Sequence, residues 1–183
     1  LVRSVSRSSI NAIAKELFLN VGGVGGRPSV DTLQIRTPKI ALYKSWVANM
    51  DEGWLRWLFE QYEFPFTNIN DAEIRAGELH ERFDVLVIPA MSTSAIVEGH
   101  RKGKMPLQYV GGITENGVKN IKEFVEEGGT LVTLNSSCLF AADKLGLPVR
   151  DALKGLRPPG RGETPKDAKP PAFACPGSLL RME

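Results

Sequence analysis

The chain of 183 residues is 42% hydrophobic and 24% charged, the make-up of an ordinary globular domain with length for one core and a tail. Its 23 basic and 21 acidic residues are spread along the chain for a net charge of +2, so no basic stripe points to nucleic acid or anionic lipid. No window approaches the about 18–20 consecutive apolar residues of a membrane helix, and none is expected to span a bilayer.

The opening LVRSVSRSS has neither an apolar h-region nor a start methionine. It is expected to be neither a signal peptide nor a gene start, which hints at truncation. Ile10, Ile13 and Leu17 then fall at helical spacing. This predicts an amphipathic helix over 9–19, capped by Ser8 or Ser9 and ended by Gly22-Gly23. Residues 21–37 are rich in Gly and Pro and read as a connector, which divides the chain into 1–37 and a domain over 38–183.

KIALY at 39–43 is a short buried-strand candidate. The helix expected after it, over about 50–62, has Asn49 and Glu52 at capping-box spacing and Trp54, Leu55, Leu58 and Tyr62 on the inward side. A strand at 66–69, a short helical piece around 72–79 and the apolar strand DVLVIPA at 84–90 repeat the alternation, which implies a mostly parallel sheet with both faces covered by helices. Residues 91–113 lack a clear period and read as a long loop at a strand's carboxyl end, where such folds carry sites.

Thr114 is expected to cap a strong helix to about 127, with Val118, Ile121, Phe124 and Val125 inward and Lys119/Glu123 and Lys122/Glu126 outside at i, i+4. TLVTL at 130–134 is the fourth strand. The turn NSSC, a helix over about 139–145 and a short helical VRDALKGL follow. Residues 157–171, rich in Pro and charge, read as a solvated excursion. The closing SLLRME reads as the start of a fifth strand, so that the domain is expected to be incomplete at its carboxyl end.

The strings SWVANMDEGWLRWLFEQYEFPF (45–66), DAEIRAGELHERFDVLVIP (71–89), EFVEEGGTLVTLNSSC (123–138) and FACPGSLLR (173–181), with AIAKELFLNV and RTPKIALY before them, resemble one family. They are similar to the C-terminal region of bacterial zinc-carboxypeptidase-like metallopeptidases, where a class I glutamine-amidotransferase-like domain follows the peptidase domain. The resemblance covers the chain from about residue 12 onward. It implies a flavodoxin-like α/β fold and a parent that hydrolyses peptide or amide bonds with zinc. It further implies an exported protein, with the upstream peptidase domain as partner and peptide as its substrate.

In the family an HxxE pair and a later His hold the zinc. The chain has only His80 and His100, and Phe83 stands where the glutamate would follow His80. No zinc ligand or other cofactor site is therefore carried over, and the chain is expected to be a non-catalytic accessory fragment that docks or positions substrate.

Active amidotransferases and related hydrolases set a Cys on a sharp strand-to-helix turn, with a His as base. Cys138 lies near such a turn, but Asn135, Ser136 and Ser137 intervene after the strand and no His follows His100. Ser136 and Ser137 lack a base as well. Two alternatives stay open: a thiol-dependent amidase or hydrolase using Cys138, and a small-ligand-binding module. The crevice candidates are Ser45, Trp46, Asn49, Asp51, Asn135 and Ser136. Export would allow a Cys138–Cys175 disulfide. Among the aromatics, Trp46 and Trp57 are the two that read as interface residues; Trp54 is expected to pack inward.

Overall fold

Four short runs rich in aliphatic and β-branched residues form the strands: β1 (Ile40–Tyr43), β2 (Phe66–Ile69), β3 (Val85–Ile88) and β4 (Thr130–Thr133). The computed structural model describes residues 5–26, 29, 31 and 36–151. The helices are α1 (Arg7–Glu16), α2 (Met50–Gln61), α3 (Asp71–Ala76), α4 (Leu79–Arg82), α5 (Thr93–Val97), α6 (Thr114–Glu126) and α7 (Ser137–Lys144), with one 3₁₀ turn at Leu107–Tyr109. Residues 1–36 and 37–183 form two units. The excursion over 157–171, the fifth strand and most of the helical VRDALKGL lie outside the described residues.

In the first unit, Ser6 caps α1 by accepting from the Ser9 amide at 3.1 Å. The expected caps Ser8 and Ser9 lie within the first turn of the helix instead. None of the residues of α1 is buried.

In the second unit the sheet order is β2-β1-β3-β4, and every pair is parallel. This is an α/β architecture with a four-stranded parallel sheet, as the alternation of strand and helix predicts. Ala41, Tyr43, Leu86 and Ile88 point to one face, where Ile74, Ile121, Phe124 and Phe140 from α3, α6 and α7 close over them. Leu42 and Val87 are also buried but stand outside that cluster, on the opposite side of the pleat. The helix in contact with β1 from outside the cluster is α2.

The two long helices depart from the expected facing in instructive ways. On α6, Val118, Ile121 and Phe124 are buried as their spacing predicts, but Val125, at i+4 from Ile121 on the same stripe, is 37% exposed in the last turn of the helix. The Lys122–Glu126 pair forms, at 3.8 Å. Thr114 does not cap: it adopts φ 60, and the N-cap is Ile113, with no side-chain hydrogen bond.

On α2, Trp54, Leu58 and Tyr62 are 61%, 41% and 70% exposed, against the inward facing expected of them. The side turned inward is instead Glu52, Leu55, Arg56 and Phe59, buried or half-buried at i, i+3, i+4, i+7. Phe59 stacks obliquely on Phe66 of β2 at 5.4 Å, which fixes that rotation. The apolar arc of α2 is wider than the surface it packs on, so its remainder faces out.

At the end of α6 the chain turns through Gly128 and Gly129, and a Cβ on Gly129 would lie 2.4 Å from the Phe124 ring. Gly129→Ala is therefore expected to destabilise the fold by about 1–3 kcal/mol through overpacking. Phe124→Ala is expected to cost about 3–5 kcal/mol through the cavity it leaves. Urea denaturation of both variants checks this, and equal midpoints with wild type would refute it.

Candidate crevice at the carboxyl edge of the sheet

The loop from β1 to α2 is held by its own polar residues. Asn49 Oδ1 accepts from the amides of Asp51 at 2.9 Å and Glu52 at 3.4 Å, capping α2 as expected. Its Nδ2 donates to the Ala90 carbonyl at 3.2 Å, so one side chain also ties this loop to the end of β3. Glu52 does not complete a capping box: its Oε1 is buried without a hydrogen-bond partner. Ser45 Oγ accepts from the Val47 amide at 3.1 Å. His100 Nε2 lies 3.0 Å from the Trp46 carbonyl, and because a carbonyl only accepts, Nε2 carries the proton. The Trp46 ring meets Tyr109 edge-on at 4.6 Å.

Beneath this loop lies a buried pair that sequence reasoning missed. Asp71, the first residue of α3, is 1% exposed, and the Tyr43 hydroxyl at the end of β1 donates to its Oδ1 at 2.5 Å. Its other oxygen, Oδ2, has no hydrogen-bond partner. Burial pushes the Asp71 carboxyl above its ordinary value, while the Tyr43 hydroxyl, the Trp46 amide, Arg75 and His100 pull the other way. Burial, reinforced by the neighbouring carboxyl, likewise pushes the Tyr43 phenol up. The Arg75 guanidinium donates to the Gly112 carbonyl. The one readable signal was local: Asn70 and Glu73 form a full capping box that fixes the start of α3 and hence Asp71.

After β4 the chain enters α7 earlier than expected. The helix begins at Ser137, so Cys138 stands inside its first turn and not before it. Ser137 is buried, accepting from the Leu134 amide at 2.8 Å, with its hydroxyl 2.7 Å from the Leu134 carbonyl and 3.2 Å from that of Ile88. The Cys138 thiol is exposed and donates to the Thr133 carbonyl at 3.3 Å. The residue that takes the left-handed backbone of the strand-to-helix turn is Asn135, at φ 49, a conformation asparagine tolerates. Of the two histidines, His100 bonds to Trp46, and the His80 ring lies 6.4 Å from that of Phe124. Cys175, the expected disulfide partner, is outside the described residues.

A groove of about 380 Å³ opens between α2 and the ends of β3 and β4, lined by Asp51, Trp54, Leu55, Trp57, Leu58, Ala90, Leu134 and Asn135. Of the crevice residues expected from sequence, Asp51 and Asn135 meet here. Ser45, Trp46 and Asn49 are engaged in the β1–α2 loop, and Ser136 is half-buried in its turn without lining the groove. Trp54, expected inside, forms part of the wall, edge-to-face with Trp57 at 6.0 Å.

Among the described residues, no group of three or more His, Cys, Asp or Glu is arranged to hold a metal, and no helix is long and apolar enough to cross a membrane. No protein-family model matches the chain, and neither a curated protein nor a solved structure matches it.

The buried carboxyl gives a pH dependence of definite sign. With its folded pKa raised above 3.8, Asp71 stabilises the fold fully below that pH. The contribution declines as pH rises from there and is lost above the folded pKa. Wild type is therefore expected to lose stability relative to Asp71→Asn as pH rises toward neutrality. Urea denaturation of both proteins across that range measures it, and a constant difference would contradict the assignment.

Proposed function

We propose that this chain is a non-catalytic docking or substrate-positioning module of a zinc-carboxypeptidase-like metallopeptidase, with peptide hydrolysis performed by a separate domain of the same polypeptide. On this reading the fold is flavodoxin-like, of the class I glutamine-amidotransferase-like kind. The resemblance of the long strings to that family supports it, and so does the strand order β2-β1-β3-β4.

The observation that carries the docking role is the outward apolar arc of α2. Trp54, Trp57 and Leu58 are 61%, 52% and 41% exposed beside an apolar groove. Large aromatic side chains grouped on one surface are what a partner domain buries. A non-catalytic role is supported by the strand-to-helix turn, where Asn135 holds the position at which related folds place a nucleophile. A carboxamide is not a nucleophile for acyl transfer.

The thiol reading retains one observation in its favour. Cys138 is exposed in the first turn of α7, open to a substrate or reagent. The docking reading predicts that Cys138 reacts with iodoacetamide at neutral pH no faster than an unperturbed cysteine; rapid selective alkylation would overturn it in favour of a working thiol.

The docking reading also predicts that Trp54→Lys/Trp57→Lys weakens capture of the co-expressed peptidase domain by about tenfold or more, as for central interface tryptophans. The unfolding free energy is expected to stay within about 0.5 kcal/mol of wild type, since both side chains are exposed. Undiminished capture would count against α2 as the docking face.

A further inference from the structure

The even charge of the whole chain hides a local concentration in the segment between α5 and α6. Its neck is stitched from both sides. The Gly111 amide donates to the His100 carbonyl at 2.8 Å, and the Ile113 amide to that of Ile96 at 2.9 Å. A Cβ on Gly99 would lie 2.0 Å from the Gly111 oxygen, and one on Gly112 would lie 2.2 Å from the Ile96 oxygen, so the two limbs meet closer than side chains permit. His100 pins the neck to Trp46, and Arg75 grips Gly112.

Beyond this neck the chain makes a small turn at Gly103, with the Lys104 amide donating to the Arg101 carbonyl at 3.2 Å and a bridge between Lys102 and Met105. All eight residues from Arg101 to Gln108 are exposed. Arg101, Lys102 and Lys104 carry three positive charges, and no acidic residue stands between Glu98 and Glu115. Glu115 is itself engaged by Lys144 at 2.6 Å. Among the described residues none of the three cationic side chains has an ion-pair or hydrogen-bond partner. Leu107, 83% exposed, and the 40% exposed Trp46 with Tyr109 edge-on beside it add apolar surface to the same loop and its foot.

We infer that this tip is a second docking surface, which takes an acidic segment of a partner polypeptide carrying interspersed apolar side chains. Three unpaired cations on one turn create a positive field that steers and orients an acidic chain. The pinned neck holds them in place without the ordering cost of a free loop. An anionic bilayer is the less favoured partner: stable attachment there requires a broad apolar face or a second anchor, and only Leu107 projects strongly. This surface is distinct from the apolar arc of α2 and does not depend on the docking role assigned to it.

The test uses the full chain and a fluorescein-labelled peptide of alternating glutamate and leucine, read by fluorescence anisotropy. Binding is expected to weaken as salt is raised. It is expected to fall by at least about tenfold in Arg101→Glu/Lys102→Glu/Lys104→Glu. Lys104→Glu alone is expected to lose less. Denaturation midpoints confirm that each variant is folded. Absence of binding, or binding unchanged in the triple variant and in Lys104→Glu, overturns the inference. Charge-dependent sedimentation with phosphatidylcholine–phosphatidylglycerol vesicles, without peptide binding, also overturns it and assigns the tip to lipid.

Discussion

The packing of Phe124, Ile121 and Ile74 against Leu86 and Ile88 is the contact on which the rest of this domain depends. All four strands run parallel, so each return path must cross the sheet, and the helices on those paths must bury the face they cross. On the side of α3, α6 and α7 this is accomplished with fully buried aliphatic and aromatic side chains. On the side of α2 the arrangement is different: Phe59 fixes the rotation of the helix against Phe66, and the tryptophans are left facing outward. The exposed aromatic surface of α2 thus follows from how that helix is set on its strands.

The same parallel order brings the carboxyl ends of all four strands to one edge, where loops of very different character meet. The β1–α2 loop is stitched by Asn49 to β3 and by His100 to the segment before α6. Below it, Tyr43 and Asp71 form a buried neutral phenol and a carboxyl with one unsatisfied oxygen, an arrangement that low dielectric makes costly when ionised. The turn after β4, by contrast, is settled by Ser137, whose hydroxyl joins Leu134 to Ile88, and by an asparagine at the left-handed corner. These groups satisfy backbone and define shape; none is set beside Cys138 as a base.

Among the described residues of the second unit, the arc of α2 and the tip at 101–108 present surfaces of opposite chemistry. The arc of α2 is aromatic and apolar, with Asp51 as its one charged lining residue. The tip at 101–108 is cationic on a narrow, braced neck. An apolar face suits a permanent neighbour that excludes water, whereas a charged tip suits a reversible contact that salt can tune.

The sequence by itself determined the alternation of strand and helix, the parallel sheet, the stripe of α6 and the Asn49 cap, because each is a local matter of periodicity, propensity or a hydrogen bond spanning three residues. It read the segment before α6 as one long loop, because the short α5 and 3₁₀ turn within it have too few residues to show a period. Only tertiary structure decided the rest. The rotation of α2 depends on Phe66, remote from its own pattern, so Glu52 went in and Trp54 came out. Asp71 and Tyr43 are 28 residues apart and became a pair through the β1–β2 register. The start of α7, and with it the place of Cys138, depends on Ser137 reaching the end of β3. In each case the deciding contact joins residues on different elements, and the hydrophobic spacing within one element carries no record of such contacts.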